Sequence, residues 1–224
     1  MTNNLKIITK ISFTALLLLS LSACNDNSKK DNEFNPILPM PSTKGLSNMG
    51  LIGIAHDAKK DPILATKIGY AYSEELKDYD KAIQWYKYSN SMKPMADNSN
   101  YMCYAYQMKK EYEEAIKWCK NAIELGSDEA LFRLGKVNEL NKNYDEAIAY
   151  YKKSFEKTND KMAISNIGAS YFELKDYDNA EKWYRKAIQE GNLESYQNIA
   201  TFYYKALNDN IKASAYAIAL INTK

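Results

Sequence analysis

The sequence is poor in the residues on which most catalytic and metal sites depend. It contains 1 histidine and 3 cysteines among 224 residues, too few for a histidine-based metal site, a zinc knuckle or a framework of several disulfides. No glycine-rich phosphate loop, metal-ligand cluster or nucleophile elbow is visible. His56 stands beside Asp57, but such a pair is no catalytic dyad without a nucleophile. We therefore expect no metal, no cofactor and no enzymatic reaction.

The chain also lacks a large excess of positive or negative charge. The 30 basic residues outnumber the 28 acidic ones only because Lys6 and Lys10 lie in an opening segment that has no acid. Binding to a nucleic acid by bulk electrostatic attraction is therefore not expected. Disorder of the whole chain is also excluded, because 46% of the residues are apolar and 12% are aromatic, enough to form a core.

The first residues have the pattern expected of a targeting signal. An uncharged run from Ile11 to Leu21 follows the two lysines and is about half the length that a membrane-spanning helix needs. It ends in Leu21-Ser22-Ala23-Cys24, which resembles the lipobox of bacterial lipoproteins. The resemblance implies that residues 1–23 are a signal peptide and that Cys24 is acylated. Asn25 in place of the usual inner-membrane retention aspartate favours the outer membrane, facing the periplasm. An ordinary secreted protein cleaved near an alanine is the alternative.

Residues 24–45 are rich in Asn, Ser, Lys, Asp and Pro and show no apolar periodicity. Such a segment has no surface to bury, so the sequence predicts a flexible tether with a reach of roughly 25 Å between Cys24 and the folded part.

Internal repetition determines the predicted fold. Five alanines recur at spacings of 32 or 33 residues: Ala82, Ala115, Ala147, Ala180 and Ala213. An aromatic residue stands three positions after each of them: Trp85, Trp118, Tyr150, Trp183 and Tyr216. Upstream, an apolar residue followed by a small one recurs at Ile68-Gly69, Met102-Cys103, Leu134-Gly135, Ile167-Gly168 and Ile199-Ala200. The small residues mark places where two antiparallel helices can approach closely.

Each unit is therefore predicted to be a helix, a tight turn and a second helix. Acids in the turns are expected to cap the second helices. Asp61-Pro62 opens the first helix, and Gly126 and Gly191 stand where left-handed C-caps belong. Gly69 precedes Ala82 by 13 residues whereas Gly168 precedes Ala180 by 12, which predicts one extra turn residue in the first and last units.

The motifs at residues 167–171, 176–180 and 183–187 resemble the tetratricopeptide repeat, and residues 206–216 look closer to the related Sel1-like repeat. The resemblance extends over about residues 63–220. It implies an all-α fold, a right-handed α-solenoid of about five helix-turn-helix repeats over residues 63–224. Residues 46–62 are predicted to form a capping helix, because the end of a solenoid must cover its apolar face.

The resemblance also implies where a ligand binds. The family's groove is the concave wall lined by the first helix of each unit, which here would present Lys67, Tyr70, Asn100, Tyr101, Tyr104, Phe132, Arg133, Lys136, Ser165, Asn166, Ala169, Gln197, Asn198 and Thr201. Amides suit an extended backbone, aromatic rings supply contact area, and Arg133 with Lys136 would hold a carboxylate. The complete set of Lys, Asn and Arg positions by which some family members clamp a C-terminal carboxylate is lacking. The alternative is a merely solvated helix face.

Cys103 and Cys119 lie on the two helices of one unit, opposite each other when positions are paired outward from the turn. Two interpretations stay open. In an oxidising compartment the pair would form a disulfide, and otherwise both would be buried, reduced thiols that act as small apolar residues.

Together these features predict a lipid-anchored adaptor or scaffold of the bacterial envelope that binds a protein or peptide partner. The alternatives are an immunity protein that neutralises a periplasmic toxin, and a pilotin or assembly accessory of an outer-membrane complex. An enzyme acting on peptidoglycan is disfavoured because no acid/base pair or metal site is identifiable.

Overall fold

The computed structural model of the chain describes residues 38–44 and 49–222, and the predicted signal peptide and Cys24 lie outside these residues. In the described part every regular element is an α-helix. The helices are α1 (Met49–Asp57), α2 (Pro62–Glu74), α3 (Tyr79–Met92), α4 (Ala96–Met108), α5 (Tyr112–Glu124), α6 (Glu129–Leu140), α7 (Tyr144–Thr158), α8 (Lys161–Glu173), α9 (Tyr177–Gln189), α10 (Glu194–Lys205) and α11 (Asn210–Asn222). None of them is long and apolar enough to cross a bilayer.

The ten helices from α2 to α11 form five hairpins, and each hairpin is one predicted unit. The two helices of a hairpin pack on each other, and each second helix packs on the first helix of the next unit. First helices also contact one another directly, α2 with α4, α4 with α6 and α8 with α10. No pair of second helices in the described part packs to the same extent, so the first helices form a continuous face across unit boundaries. The prediction of an all-α solenoid of five repeats is confirmed.

The repeated small residue has the predicted role of admitting a close neighbour. A Cβ atom on Gly69 would lie 2.7 Å from Cε1 of Tyr86, which stands four residues after Ala82 on the facing helix. The same contact joins Gly135 to Tyr151 and Gly168 to Tyr184. In each of these units a tyrosine ring therefore lies against a bare stretch of helix backbone, and a side chain at the glycine would displace it.

In the second unit the same two positions hold Cys103 and Cys119, which the structure joins in a disulfide with a Cα–Cα distance of 5.1 Å. Both cysteines are fully buried. The disulfide thus occupies the place that a glycine and a tyrosine fill in the first, third and fourth units.

A lysine or an asparagine makes the turn inside every unit. Five residues there adopt a positive φ, namely Lys77 (53°), Lys110 (62°), Lys142 (63°), Lys175 (62°) and Asn208 (52°). Gly126 and Gly191 adopt the predicted left-handed conformation between units, with φ of 97° and 83°.

Backbone hydrogen bonds confirm the extra residue in the first and last turns. In the fourth unit the Asp176 N–H donates to the carbonyl of Tyr171, five residues earlier. In the first and last units the Asp78 N–H donates to the carbonyl of Tyr72 and the Asp209 N–H to that of Tyr203, each six residues earlier. Capping by acids is confirmed at Asp78 and Asp176, whose carboxylates accept from the first turn of α3 and α9. It is wrong at Glu111, whose side chain makes no capping hydrogen bond.

The start of the array is covered by the chain itself. Helix α1 lies against α2, and Ala55 and Ala58 are buried there. Residues 38–44, here called the N-terminal segment, also pack on the first unit. Tyr72 Oη lies 3.2 Å from the Ser42 carbonyl and 3.1 Å from the Lys44 carbonyl, and Lys81 Nζ lies 2.7 Å from the latter. Residues 38–44, which belong to the predicted tether, are thus in contact with side chains of α2 and α3.

Candidate partner-binding face

Five large polar and aromatic side chains lie close together on the exposed side of the first helices of units one, two and three. We call Tyr70, Asn100, Tyr101, Tyr104 and Arg133 the aromatic–arginine cluster. They come from α2, α4 and α6, which lie side by side in the array. Five of the predicted site residues on these three helices are therefore brought together across unit boundaries.

Aromatic contacts order the cluster. The rings of Tyr70 and Tyr101 meet edge to face with centroids 5.5 Å apart, and Tyr101 stacks on Tyr86 at 5.7 Å. Tyr104 meets Tyr79 edge to face at 6.3 Å. Because Tyr70 stays 47% exposed and Tyr101 and Tyr104 are half-buried, the cluster offers ring surface to a ligand on a rigid base.

Arg133 is the cation of the cluster. Its Nε donates to Asn100 Oδ1 at 2.9 Å, and its guanidinium lies 5.1 Å from the centroid of the Tyr104 ring. Burial lowers the pKa of Arg133, although the neighbouring Tyr104 and Glu129 act in the opposite direction. Within residues 38–44 and 49–222 no carboxylate forms an ion pair with Arg133. A partly desolvated positive charge thus stands on this face without a carboxylate of its own.

Burial also raises the pKa of Tyr101, helped by Asp97, and that of Tyr104, helped by Glu74. Both phenols therefore stay neutral at physiological pH and are available as hydrogen-bond donors.

Lys136, predicted to act with Arg133, pairs with an acid on its own helix. Its Nζ pairs with Glu139 Oε1 at 2.9 Å, and the other oxygen of Glu139 accepts from Tyr151 Oη at 2.6 Å. In the described structure the lysine thus has a carboxylate partner of its own, and joint binding of a ligand's carboxylate by Arg133 and Lys136 stays a prediction.

The remaining predicted residues fall into two groups. Phe132 packs on Tyr151 with ring centroids 5.4 Å apart, and Asn166 is half-buried on α8. Asn198 Nδ2 donates to Ser165 Oγ at 2.9 Å, across the last unit boundary. Lys67 is half-buried and Gln197 is exposed, and neither belongs to the aromatic–arginine cluster.

Sequence reasoning missed Glu139 and the inward-facing tyrosines Tyr86 and Tyr151, which support this face from below. A signal existed for the tyrosines, since both stand four residues after the repeated alanine. Glu139 gave no comparable signal, because an acid recurs near the end of several first helices.

In the part of the chain that the structure describes, no group of three or more His, Cys, Asp or Glu side chains is arranged to hold a metal ion.

Family models identify the repeats. Tetratricopeptide repeat models match residues 64–94, 128–160 and 162–190, and a Sel1 repeat model matches residues 99–127. The Sel1 match falls on the second unit, whereas the sequence prediction placed Sel1 character in the last one. No curated protein sequence matches the chain significantly.

Solved structures share the fold at low sequence identity. MamA from Desulfovibrio magneticus RS-1 is 16% identical with a TM-score of 0.63, over 72% of this chain and 93% of that one. YrrB, described as a TPR protein with an unusual peptide-binding site, is 17% identical with a TM-score of 0.59, over 77% and 91%. PilF of Pseudomonas aeruginosa is 16% identical with a TM-score of 0.61, over 75% and 78%.

Proposed function

Because this chain is a tetratricopeptide- and Sel1-repeat protein, we propose that it is an adaptor that holds a protein partner by binding an extended segment of that partner on the first-helix face. The proposed binding centre is the aromatic–arginine cluster. The proposal includes no chemical reaction, in keeping with a fold whose work is typically binding.

The observation that carries the proposal is the state of Arg133. A guanidinium has five donors, and here only Nε has a protein acceptor among the described residues. Partial burial of a cation without a carboxylate costs free energy unless a ligand supplies the missing charge. A carboxylate of the partner, from an acidic side chain or a chain terminus, suits the two free nitrogens because it accepts both bonds at once.

The rings around Arg133 favour a peptide over a small anion. Tyr104 lies against the guanidinium, and Tyr70 and Tyr101 add ring surface within the same cluster. Tyrosines bury such area at a low cost in side-chain entropy. Farther along, Asn198 and the exposed Gln197 lie at the last first helix, α10, and would engage the main chain of a longer segment. The peptide-binding site described for YrrB, which shares this fold, supports the same class of ligand.

Photo-cross-linking in intact cells tests the proposal. A cross-linking amino acid in place of Thr201, which is exposed on α10, would capture the partner on wild-type chain and on two variants. Arg133→Gln removes the free cation. Arg185→Gln is the matched control, because Arg185 also lies over a tyrosine ring, that of Tyr216 at 5.7 Å, but already pairs with Glu181 at 2.7 Å.

We expect Arg133→Gln to reduce partner capture about tenfold or more, while Arg185→Gln leaves it unchanged. Equal capture by all three chains would exclude the aromatic–arginine cluster as the binding centre. Equal loss with both variants would indicate a general effect of removing an arginine and would contradict the proposal as well.

We further propose that Cys24 carries acyl chains that anchor the protein in the bacterial envelope, in the outer membrane facing the periplasm. The lipobox-like Leu21-Ser22-Ala23-Cys24 supports this, and three acyl chains would hold far more firmly than the single chain that binds only marginally. Metabolic labelling with a palmitate analogue should label wild-type chain and a Cys103→Ser/Cys119→Ser variant, but not Cys24→Ser. Label on Cys24→Ser would disprove the anchor.

A further inference from the structure

Helix α11 is apolar on the side that faces away from the array. No residue of α11 is buried, and Ile211, Ile218 and Ile221 are 85%, 58% and 71% exposed. Ser214 is exposed between them. We call Ile211, Ser214, Ile218 and Ile221 the outer stripe of α11. Their spacing of 3, 4 and 3 residues is that of the a and d positions of a coiled coil.

Comparison with the other units shows that this surface is not simply the exposed side of any second helix. In the first four units the position of Ile211 holds an acid, namely Asp80, Glu113, Asp145 and Asp178. The position of Ile218 holds a cation, namely Lys87, Lys120, Lys152 and Arg185. Only the last unit replaces both solvated charges by isoleucine, and exposed apolar surface of this kind marks a contact with another molecule.

We propose that the outer stripe of α11 pairs in an antiparallel manner with the same stripe of a second copy of this chain, which forms a two-fold symmetric dimer. Reversal about residue 216 places Ile211 opposite Ile221 of the second copy, and Ser214 opposite Ile218. Each large side chain of the two central layers thus meets a small one, and the arrangement is its own complement.

The near absence of charged residues in α11 also favours a second copy of this chain as the binding partner. The only charged residue within α11 is Lys212, which lies off the stripe, 3.6 Å from Asp209 and over the Tyr203 ring at 4.9 Å. No like charges therefore meet when two stripes pair, and antiparallel helices bring opposite ends of their dipoles together. Ala215 and Ala217 flank the stripe, so two helices can approach closely.

The contact is short, because 13 residues of helix extend over about 20 Å. An interface made by one such helix from each chain lies at the low end of the size range of specific interfaces, so the dimer is a weak one that a covalent cross-link can capture.

Disulfide trapping tests the pairing and its direction. Chains with Ile211→Cys or Ile221→Cys, both also carrying Cys24→Ser, would be co-expressed as full chains with different tags and oxidised briefly in intact cells. The antiparallel pair predicts a cross-link between the Ile211→Cys chain and the Ile221→Cys chain, and far less between two copies of either variant. A dominant cross-link between like variants, or no cross-link at all, would overturn the proposal.

A third substitution distinguishes a cross-link formed in a specific dimer from one formed by random encounters between chains. Ile218→Lys introduces the residue found at this position in three other units, and it should reduce the cross-link about tenfold or more. Ile63→Lys is the matched control, because Ile63 is 57% exposed on α2, and it should have no effect. Circular dichroism checks that each variant keeps its helices. Should Ile218→Lys unfold, Ala215→Lys replaces it, since lysine stands at this position in the second and fourth units.

An equal effect of Ile218→Lys and Ile63→Lys, or no effect of either, would overturn the proposal. A lipid surface is the competing occupant. The proposal would also be wrong if no cross-link formed and Ile218→Lys, but not Ile63→Lys, released the Cys24→Ser chain from vesicles of phosphatidylethanolamine and phosphatidylglycerol.

Discussion

The first and the last described units of the solenoid differ in how their outer sides are covered. At the start, Tyr72 and Trp85 are fully buried because α1 and the N-terminal segment lie over them. In the last unit α11 has no buried residue, and Tyr216, at the repeat position of Trp85, is half-buried like the aromatic residues at this position in the three units between them. An internal repeat is covered by both neighbours. In the first unit α1 and the N-terminal segment provide the cover on the outer side, whereas within the described residues α11 presents its apolar side outward.

The largest change in stability is expected when the aromatic ring at one shared repeat position is removed, in the first unit or in the last. Trp85→Ala should lower the free energy of unfolding by about 3–5 kcal/mol, because it leaves a cavity under the N-terminal segment. Tyr216→Ala should cost about 1–2 kcal/mol, because its ring is already partly in water. Urea unfolding followed by circular dichroism measures both. Equal losses would show that the two ends are covered to the same degree.

The disulfide gives the next largest effect. Reduction of Cys103–Cys119 should lower the free energy of unfolding by about 3 kcal/mol, the chain-entropy value for a loop of this size. Hydrogen exchange should place most of the loss in α4 and α5, nearer the covered end, and little in α11. Two alkylatable thiols in the unfolded, oxidised chain, besides Cys24, would show that the bond is absent.

A double substitution serves as its control. Cys103→Gly with Cys119→Tyr installs the residue pair that the first, third and fourth units use at these positions. The variant should fold, and reductant should not change its stability. Failure to fold would mean that the glycine–tyrosine contact does not transfer between units.

The repeat itself was readable because its columns specify both chemistry and spacing. Gly69, Gly135 and Gly168 predicted close helix contacts, and the structure places a tyrosine ring against each of them. The Asp61-Pro62 start and the left-handed Gly126 and Gly191 were readable for the same reason, since few residue types satisfy those backbone positions.

What escaped prediction depends on contacts that have no local signature. The composition of residues 38–44 is that of a tether, and their docking is due to Tyr72, Lys81 and Trp85, which are far away in sequence. The sequence also did not indicate that Lys136 forms an ion pair with Glu139, because several acids are near enough in sequence to be its partner. The lysines with positive φ escaped because nothing in their side chains marks that conformation.

A smaller effect comes from the hydroxyl that holds the N-terminal segment. Tyr72→Phe keeps the ring but removes the donor to the carbonyls of Ser42 and Lys44, and it should cost about 0.5–1.5 kcal/mol. Faster hydrogen exchange and proteolysis in residues 38–44 should accompany the loss. Tyr203→Phe is the control from the other end, because Tyr203 stands at the same repeat position and its hydroxyl meets Arg185 instead. If it loosened residues 38–44 equally, the contacts of Tyr72 would not be what holds them.

The smallest effect is expected at high pH near the uncovered end. Burial first, and then Glu181, raises the pKa of Tyr203 to about 12 from 10.0. The folded chain therefore keeps this proton longer than the unfolded one. Its contribution to stability is complete below pH 10 and is lost as the pH rises toward 12. The effect is small because solvent reaches the Arg185 side chain beside it, which is 50% exposed.

Tyr203→Phe should remove this alkaline loss. The free energy of unfolding of the variant, measured in urea across that range, should fall less steeply with pH than that of wild type. Tyr204→Phe, at a neighbouring ring that is 62% exposed, should leave the slope unchanged. If both variants had the wild-type slope, the Tyr203 hydroxyl would be as hydrated in the folded chain as in the unfolded one. The last pair of helices would then be more open to water than the stacking of Tyr203 on Tyr216, at 5.6 Å, indicates.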